Sequence, residues 1–168
     1  AKYGIRPSLE RIRDVLEALG RPDRHYSVVL ITGTNGKGTC AKALSEILCA
    51  HGVRVGLYTS PHLFSYAERY EIDGEKIAAV DFEREVSGQR AVLAALSARL
   101  TEFEFLTLLA YRLFSKRQVS WAVVEIGMGG RWDATNVADP RLSVITSVGI
   151  DHVEFLGRTI GQIAFDKA

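Results

Sequence analysis

The sequence has no long apolar run. Its longest apolar stretches are a few residues, against roughly 20 for a membrane-spanning helix, so a helical span is excluded. It also has no dominant charge. Its 21 Lys and Arg stand against 20 Asp and Glu, a formal net charge of +1. With no excess of one sign, neither nucleic acid nor an anionic membrane surface is an expected partner. Cysteine is scarce. The 2 cysteines, Cys40 and Cys49, fall in one predicted helix more than about two turns apart, too far to bridge. No basic segment followed by an apolar core opens the chain. Reduced thiols in a cytoplasmic protein are the expectation. Repeats, low-complexity tracts and interior linkers are missing too, and 168 residues suit one well-buried domain. The chain starts at Ala1 and stops at FDKA within a helical pattern, as an excised domain would.

What is present alternates between two periodicities. Residues 8–19, SLERIRDVLEAL, place Leu9, Ile12, Leu16 and Leu19 on one helical face, with Ser8 as N-cap. Gly20 and Pro22 end that helix. SVVLIT (27–32) reads as a strand buried on both sheet faces. A helix over 37–51 and a strand over 54–59 follow. From Ser60 to Lys76 the pattern breaks, and Asp73-Gly74 reads as a hairpin turn. Helices are predicted over 80–99 and 101–116, strands over 121–127 and 142–149, and a last helix over 158–168. Such alternation predicts an α/β domain with a doubly wound, mostly parallel sheet. Ligands of that architecture sit beyond the carboxyl ends of the strands. The polar loops GTNGKGT, TSPH, GMGGR and GIDH fall there, and together they make one site.

GTNGKGT follows a strand and opens a helix, the context a phosphate-binding loop requires. Gly33, Gly36 and Gly38 let the backbone wrap an anion, and the N–H groups from Gly33 through Thr39, including Thr34 and Asn35, form a nest at the helix N-terminus. Lys37 would reach the terminal phosphates and Thr39 would hold magnesium. The bland alternative is a glycine-rich turn without a ligand. The loop departs from the common GxxxxGK[ST] pattern: Gly38 follows Lys37, the hydroxyl comes one later at Thr39, and Ile31 occupies the first glycine position. It is a relative of the common P-loop.

That variant, with TSPHL (59–63), ERYEIDG (68–74), FEFLT (103–107), EIGMGGRWDATN (125–136), VITSVGIDH (144–152) and LGRTIGQIAFDKA (156–168), resembles the folylpolyglutamate synthase and dihydrofolate synthase family of the Mur ligase superfamily. The resemblance covers nearly the whole chain, but only that family's N-terminal ATPase domain. A smaller C-terminal α/β domain would follow. It implies that Glu125 and His152 hold magnesium and that the lysine of the KA pair, Lys167, is carbamoylated by carbon dioxide. Carbamoylation turns a cation into an oxygen ligand suited to a hard ion, although fraying at the chain end would leave Lys167 unmodified. Asp151 orients the loop or the histidine. Arg131 and Asp133 face the nucleotide or close the glycine loop, with Thr135 and Asn136 bracing it. Ser60 and His62, with FSYAERY after them, fit a mobile loop over a pterin ring. Phe105 reads equally well as a core residue.

The resemblance thus implies an ATP-dependent ligase that joins L-glutamate to a folate or dihydropteroate carboxylate. Its cofactors would be ATP and magnesium, its partners small molecules alone, and its full-length form a monomer. Alternatives are a peptidoglycan-precursor ligase, a P-loop switch, or a nucleotide-binding module that is inactive by itself. A guanine-reading NKxD is absent, and TSPHL with FEFLT and EIGMGGR weighs against the peptidoglycan branch.

Overall fold

β-branched and apolar runs at β1 (Ser27–Thr32), β2 (Val55–Tyr58), β5 (Trp121–Glu125) and β6 (Leu142–Ile145) form the parallel part of a six-stranded sheet. The hairpin of β3 (Tyr70–Ile72) and β4 (Glu75–Lys76) adds the antiparallel edge, giving the order β4-β3-β2-β5-β1-β6. The computed structural model describes residues 8–168. Asp73 and Gly74 both take positive φ, 52° and 84°, which the tight hairpin turn requires.

The strands show a period of two. Val28, Leu30, Ala122 and Val124 face one layer, where α1 (Glu10–Ala18), α3 (Ala79–Ala95) and α4 (Glu102–Lys116) pack. Val29, Ile31, Val55, Leu57 and Val123 face the other, against α2 (Lys37–Ala50). Both faces being covered explains why these strands read as unbroken apolar runs. Arg11 ties α1 to α4 through Glu104 at 3.0 Å, and Glu104 also completes a capping box with Thr101. Cys40 and Cys49 are free. Among the described residues no helix is long and apolar enough to cross a membrane.

Several predicted boundaries shift, for local reasons. The first helix begins at Glu10 with Leu9 as N-cap, although Ser8 Oγ still accepts from Glu10 N at 3.1 Å. The third helix stops at Ala95, not at Arg99, because Ser97 adopts φ 51° and the Ser97 and Ala98 N–H groups turn back onto Ala94 and Leu93. The strand predicted over 142–149 ends at Ile145, since Thr146–Gly149 turn away to bind the loop after β1. The last helix, α6, spans Ile160–Lys167, with a short α5 (Val153–Leu156) before it.

Gly56 in β2 lies directly over the Phe114 ring, where an added Cβ would stand 2.5 Å from Cδ1. Gly56→Ala should cost about 1–3 kcal/mol, the usual range for overpacking. Urea unfolding would measure it; a loss well below that range would mean the ring moves aside freely.

Candidate functional site

The four predicted loops do meet at the carboxyl edge of the sheet. After β1 the chain makes a left-handed turn at Gly36, φ 80°, and enters α2 at Lys37 with no side-chain cap and no acidic residue in the first turn. The first N–H groups of α2 and its positive dipole end therefore remain open to an anion. Gly33 sits at φ 148°, and a Cβ there would collide with Thr146 Oγ1. The loop is braced from outside: Thr34 N donates to Ser147 O at 2.9 Å, Asn35 N to Ser147 Oγ at 3.0 Å, and Thr146 Oγ1 to Asn35 O at 2.7 Å. Gly149 N in turn donates to Thr34 Oγ1 at 2.9 Å. The residues that leave the β6 ladder thus hold the glycine-rich loop after β1 in shape.

Lys37 Nζ rests on Gly33 O at 3.1 Å, a local contact that an incoming phosphate can replace. Thr39 is exposed in the first turn of α2. Glu125, at the end of β5, is buried, and its carboxylate lies against Gly38. Its Oε2 accepts one hydrogen bond, from Ser60 N at 2.9 Å. Burial raises its pKa above the ordinary glutamate value, while the Ser60 N–H and the charges of Lys37 and Arg69 oppose the shift. A buried carboxylate with so little compensation beside a phosphate loop suits a hard cation.

Lys167 is buried. Desolvation and then the neighbouring Lys37 charge hold its amine below the ordinary lysine range, with Asp151 and Asp166 pulling the other way. The end of α6 is docked on the glycine-rich loop: Arg131 N donates to Asp166 O at 2.8 Å and Gly130 N to Asp166 Oδ2 at 3.0 Å. Lys167 therefore belongs to this edge, in the last turn of α6. His152 caps α5 at φ 47° and is exposed, with Nε2 3.6 Å from Asp151 Oδ2. Among the described residues no three His, Cys, Asp or Glu side chains converge as a metal cluster. Any metal here would take much of its shell from the phosphates or water.

Asp133 closes the glycine loop: its carboxylate accepts from Met128 N at 2.9 Å and from Thr135 N and Oγ1 at 3.0 and 2.6 Å. Arg131 lies over the Phe165 ring, 4.6 Å from its centroid. Asn136 Nδ2 braces Arg131 O at 3.3 Å. Beyond β2, His62 accepts from Arg69, and its ring lies 4.2 Å from the Tyr66 ring centroid to centroid, tilted by 44°. The loop between them is tied down, since Glu68 takes the N–H groups of Leu63, Phe64 and Ser65. Phe105 is partly buried against the core.

The Mur ligase middle domain model matches residues 31–168. The chain belongs to the Mur ligase family. This Mur ligase domain is 45% identical over 163 residues to folylpolyglutamate synthase of Lacticaseibacillus casei, covering 94% of the chain and 38% of that protein. It is 43% identical over 160 residues to dihydrofolate synthase/folylpolyglutamate synthase of Haemophilus influenzae, covering 95% and 36%. It superposes on a folylpolyglutamate synthase–AMPPCP–folate complex with a TM-score of 0.92 at 45% identity, over 99% of the chain and 41% of the solved one. The domain thus spans well under half the length of these relatives.

Two features of the Mur ligase domain escape a reading of its loops. One is a cavity of about 390 Å³ beside Gly127, lined by Phe103, Met128, Trp132, Asp133, Phe155 and Leu156. Phe103 and Met128 stand inside recognisable motifs, but only the turn of the chain at Gly127 brings them to Phe155. The other is Arg69, a mid-motif arginine whose burial no periodicity signals.

Proposed function

We propose that residues 1–168 act as the N-terminal ATP-binding domain of a Mur-type ligase that adds L-glutamate to a folate or pteroate carboxylate. The observation that carries this reading is the convergence of the braced phosphate loop, Lys37, Lys167 and the buried Glu125 on one edge. A carboxylate is a poor electrophile because its oxygen leaves badly. Transfer of the γ-phosphoryl group of ATP gives ADP and an acyl phosphate; the glutamate amine then attacks the acyl carbon, and the tetrahedral adduct loses phosphate and a proton to give the amide. Phosphoryl transfer depends on positioning and charge stabilisation. The open α2 amides and Lys37 provide both for the phosphates.

Thr39, Glu125, His152 and a carbamoylated Lys167 would hold magnesium. Bound there with ATP, the ion would offset charge on the β- and γ-phosphates. A lysine amine held below its usual range is more often neutral, and the neutral amine is the form that adds to carbon dioxide. The cavity beside Gly127 has the aromatic walls and size for a fused heterocycle, and we place the pterin ring there. Ser60 and His62 then flank the carboxylate end, not the ring. The same reading makes the protein cytoplasmic, with small molecules as its partners and a monomeric full-length form.

The test is to supply the full-length protein that carries this domain with ATP, magnesium, labelled glutamate and either dihydropteroate or tetrahydrofolate, and to measure ADP and labelled product together; the 168-residue domain by itself should form no product. Coupled formation with one or both acceptors is expected. ATP turnover dependent on a peptidoglycan precursor instead would move the protein to the other branch of the family.

A further inference from the structure

α6 carries a lysine on its inner face with little else to hold it there. Of its residues only Ile163 and Lys167, one turn apart on the same side, are buried, while Ile160 and Phe165 are exposed. A lysine amine loses hydration when it is buried. The turn that carries Lys167 therefore contributes less to its own docking than an apolar turn would. Other contacts have to supply its seat.

Those contacts come from the glycine-rich loop after β5, and Asp166 makes them. Its Oδ2 accepts from Gly130 N at 3.0 Å and its backbone O from Arg131 N at 2.8 Å. One residue thus takes two successive N–H groups of the loop. Helix and loop come this close because the loop has no side chains there. A Cβ on Gly129, at φ 68°, would collide with Asp166 Oδ2, and one on Gly130 would stand 2.6 Å from Asp166 O and 2.9 Å from Lys167 Cα. The loop is in turn fastened to β1, where Thr32 Oγ1 donates to Gly129 O at 2.6 Å. Thr32, Gly130, Arg131 and Lys167 line one small cavity of about 110 Å³. The lysine side chain therefore lies beside the point where β1 gives way to the loop that carries Lys37.

We propose that Asp166 is a positioning residue: it seats the last turn of α6 on Gly130 and Arg131, and so fixes where the Lys167 side chain meets the bound nucleotide. This rests on reading Lys167 as part of the nucleotide site. A hydrogen bond to a charged acceptor is stronger and more directional than a neutral one, which suits a contact that has to hold a neighbouring group in register. Asp166 also borders the aromatic cavity beside Gly127, so a direct role there is the rival that the experiment has to separate.

The experiment uses the full-length protein that carries this domain, unaltered and as Asp166→Ala, Asp166→Asn and Gly130→Ala. Lysines are acylated in buffer purged of carbon dioxide, and the rate at each position is read by mass spectrometry. Values of kcat and KM are measured alongside, with ATP, glutamate and dihydropteroate or tetrahydrofolate. In the unaltered protein Lys167 should react more slowly than the half-exposed Lys116. Asp166→Ala should raise the Lys167 rate about tenfold, the scale of one lost hydrogen bond to a charged group. It should lower kcat by about tenfold to a hundredfold, as misplacement of a site group does, with KM for the acceptor unchanged. Gly130→Ala pushes the same turn away from the other side and should do likewise. Asp166→Asn keeps an oxygen for Gly130 N and should recover most of both effects. The rates at Lys42 and Lys116 should not move in any variant, which also shows that the fold holds; should one variant loosen every lysine, the other decides. An unchanged Lys167 rate, a general loosening in both Asp166→Ala and Gly130→Ala, or a faster rate with kcat intact overturns the assignment. A raised KM for the acceptor with the Lys167 rate unmoved also overturns it, in favour of the cavity. Absence of any folate–glutamate product from the unaltered protein would overturn the proposed function instead, and the acylation rates would still judge Asp166.

Discussion

Replacing Lys37 with alanine lowers ATP affinity by about a hundredfold, the scale of a lost charge-assisted contact in a partly enclosed site. The fold should survive. Lys37 is only partly buried, donates to a single carbonyl in its own loop, and is replaced by the best helix former at the first position of α2. The variant carries a second signature. The Lys37 charge is one of the causes that depress the Lys167 amine, so removing it should move the Lys167 titration upward toward the ordinary lysine range. Calorimetry with AMPPCP measures the first effect and NMR titration of the lysine side chain the second. Unchanged affinity would remove the phosphate loop as the basis of function, whereas a Lys167 titration that stays put would mean the two amines do not share one site.

Much of this site was legible because its signals are local. Gly33, Gly36 and Gly38 sit between a strand and a helix, and that order of elements is the context a phosphate loop requires, readable without the rest of the chain. The sheet was legible for a related reason: strands buried on both faces leave unbroken apolar runs. What failed was anything decided across the sheet edge. Thr146 and Ser147 continue a β-like pattern, yet they leave the strand because Thr34 and Asn35 require their hydroxyls and backbone. Local patterning left two roles open for Asp133, facing the nucleotide or closing the glycine loop, and its contacts with Met128 and Thr135 favour the second. Arg131 is engaged by a ring on α6, a contact between segments more than thirty residues apart. Arg69 was invisible because an arginine beside a glutamate reads as solvated surface until burial is known.

Glu125→Gln should make the protein more stable and less able to bind magnesium nucleotide. Burial raises the folded-state pKa of Glu125 above its unfolded value. A carboxyl shifted in that direction favours the folded state below its unfolded pKa, and that contribution is lost as pH rises through the folded pKa. At neutral pH the native protein therefore carries a desolvated charge that the unfolded chain keeps in water. Glutamine removes that charge and can still accept from Ser60 N, so little else should change. The melting temperature should rise at pH 7, and the gain should shrink as pH falls toward the usual glutamate range. In the same variant the affinity for AMPPCP with magnesium should fall roughly ten- to a hundredfold, as for the loss of a metal-supporting group. Affinity without metal should hold or rise slightly, since one negative charge has left the neighbourhood of the phosphates. Opposite signs on stability and metal-dependent binding are what a functional carboxylate produces, because its burial is tolerated for the sake of the ligand. A variant that melts earlier at neutral pH and binds both nucleotide forms equally weakly would identify Glu125 as the anchor of Ser60 and nothing more.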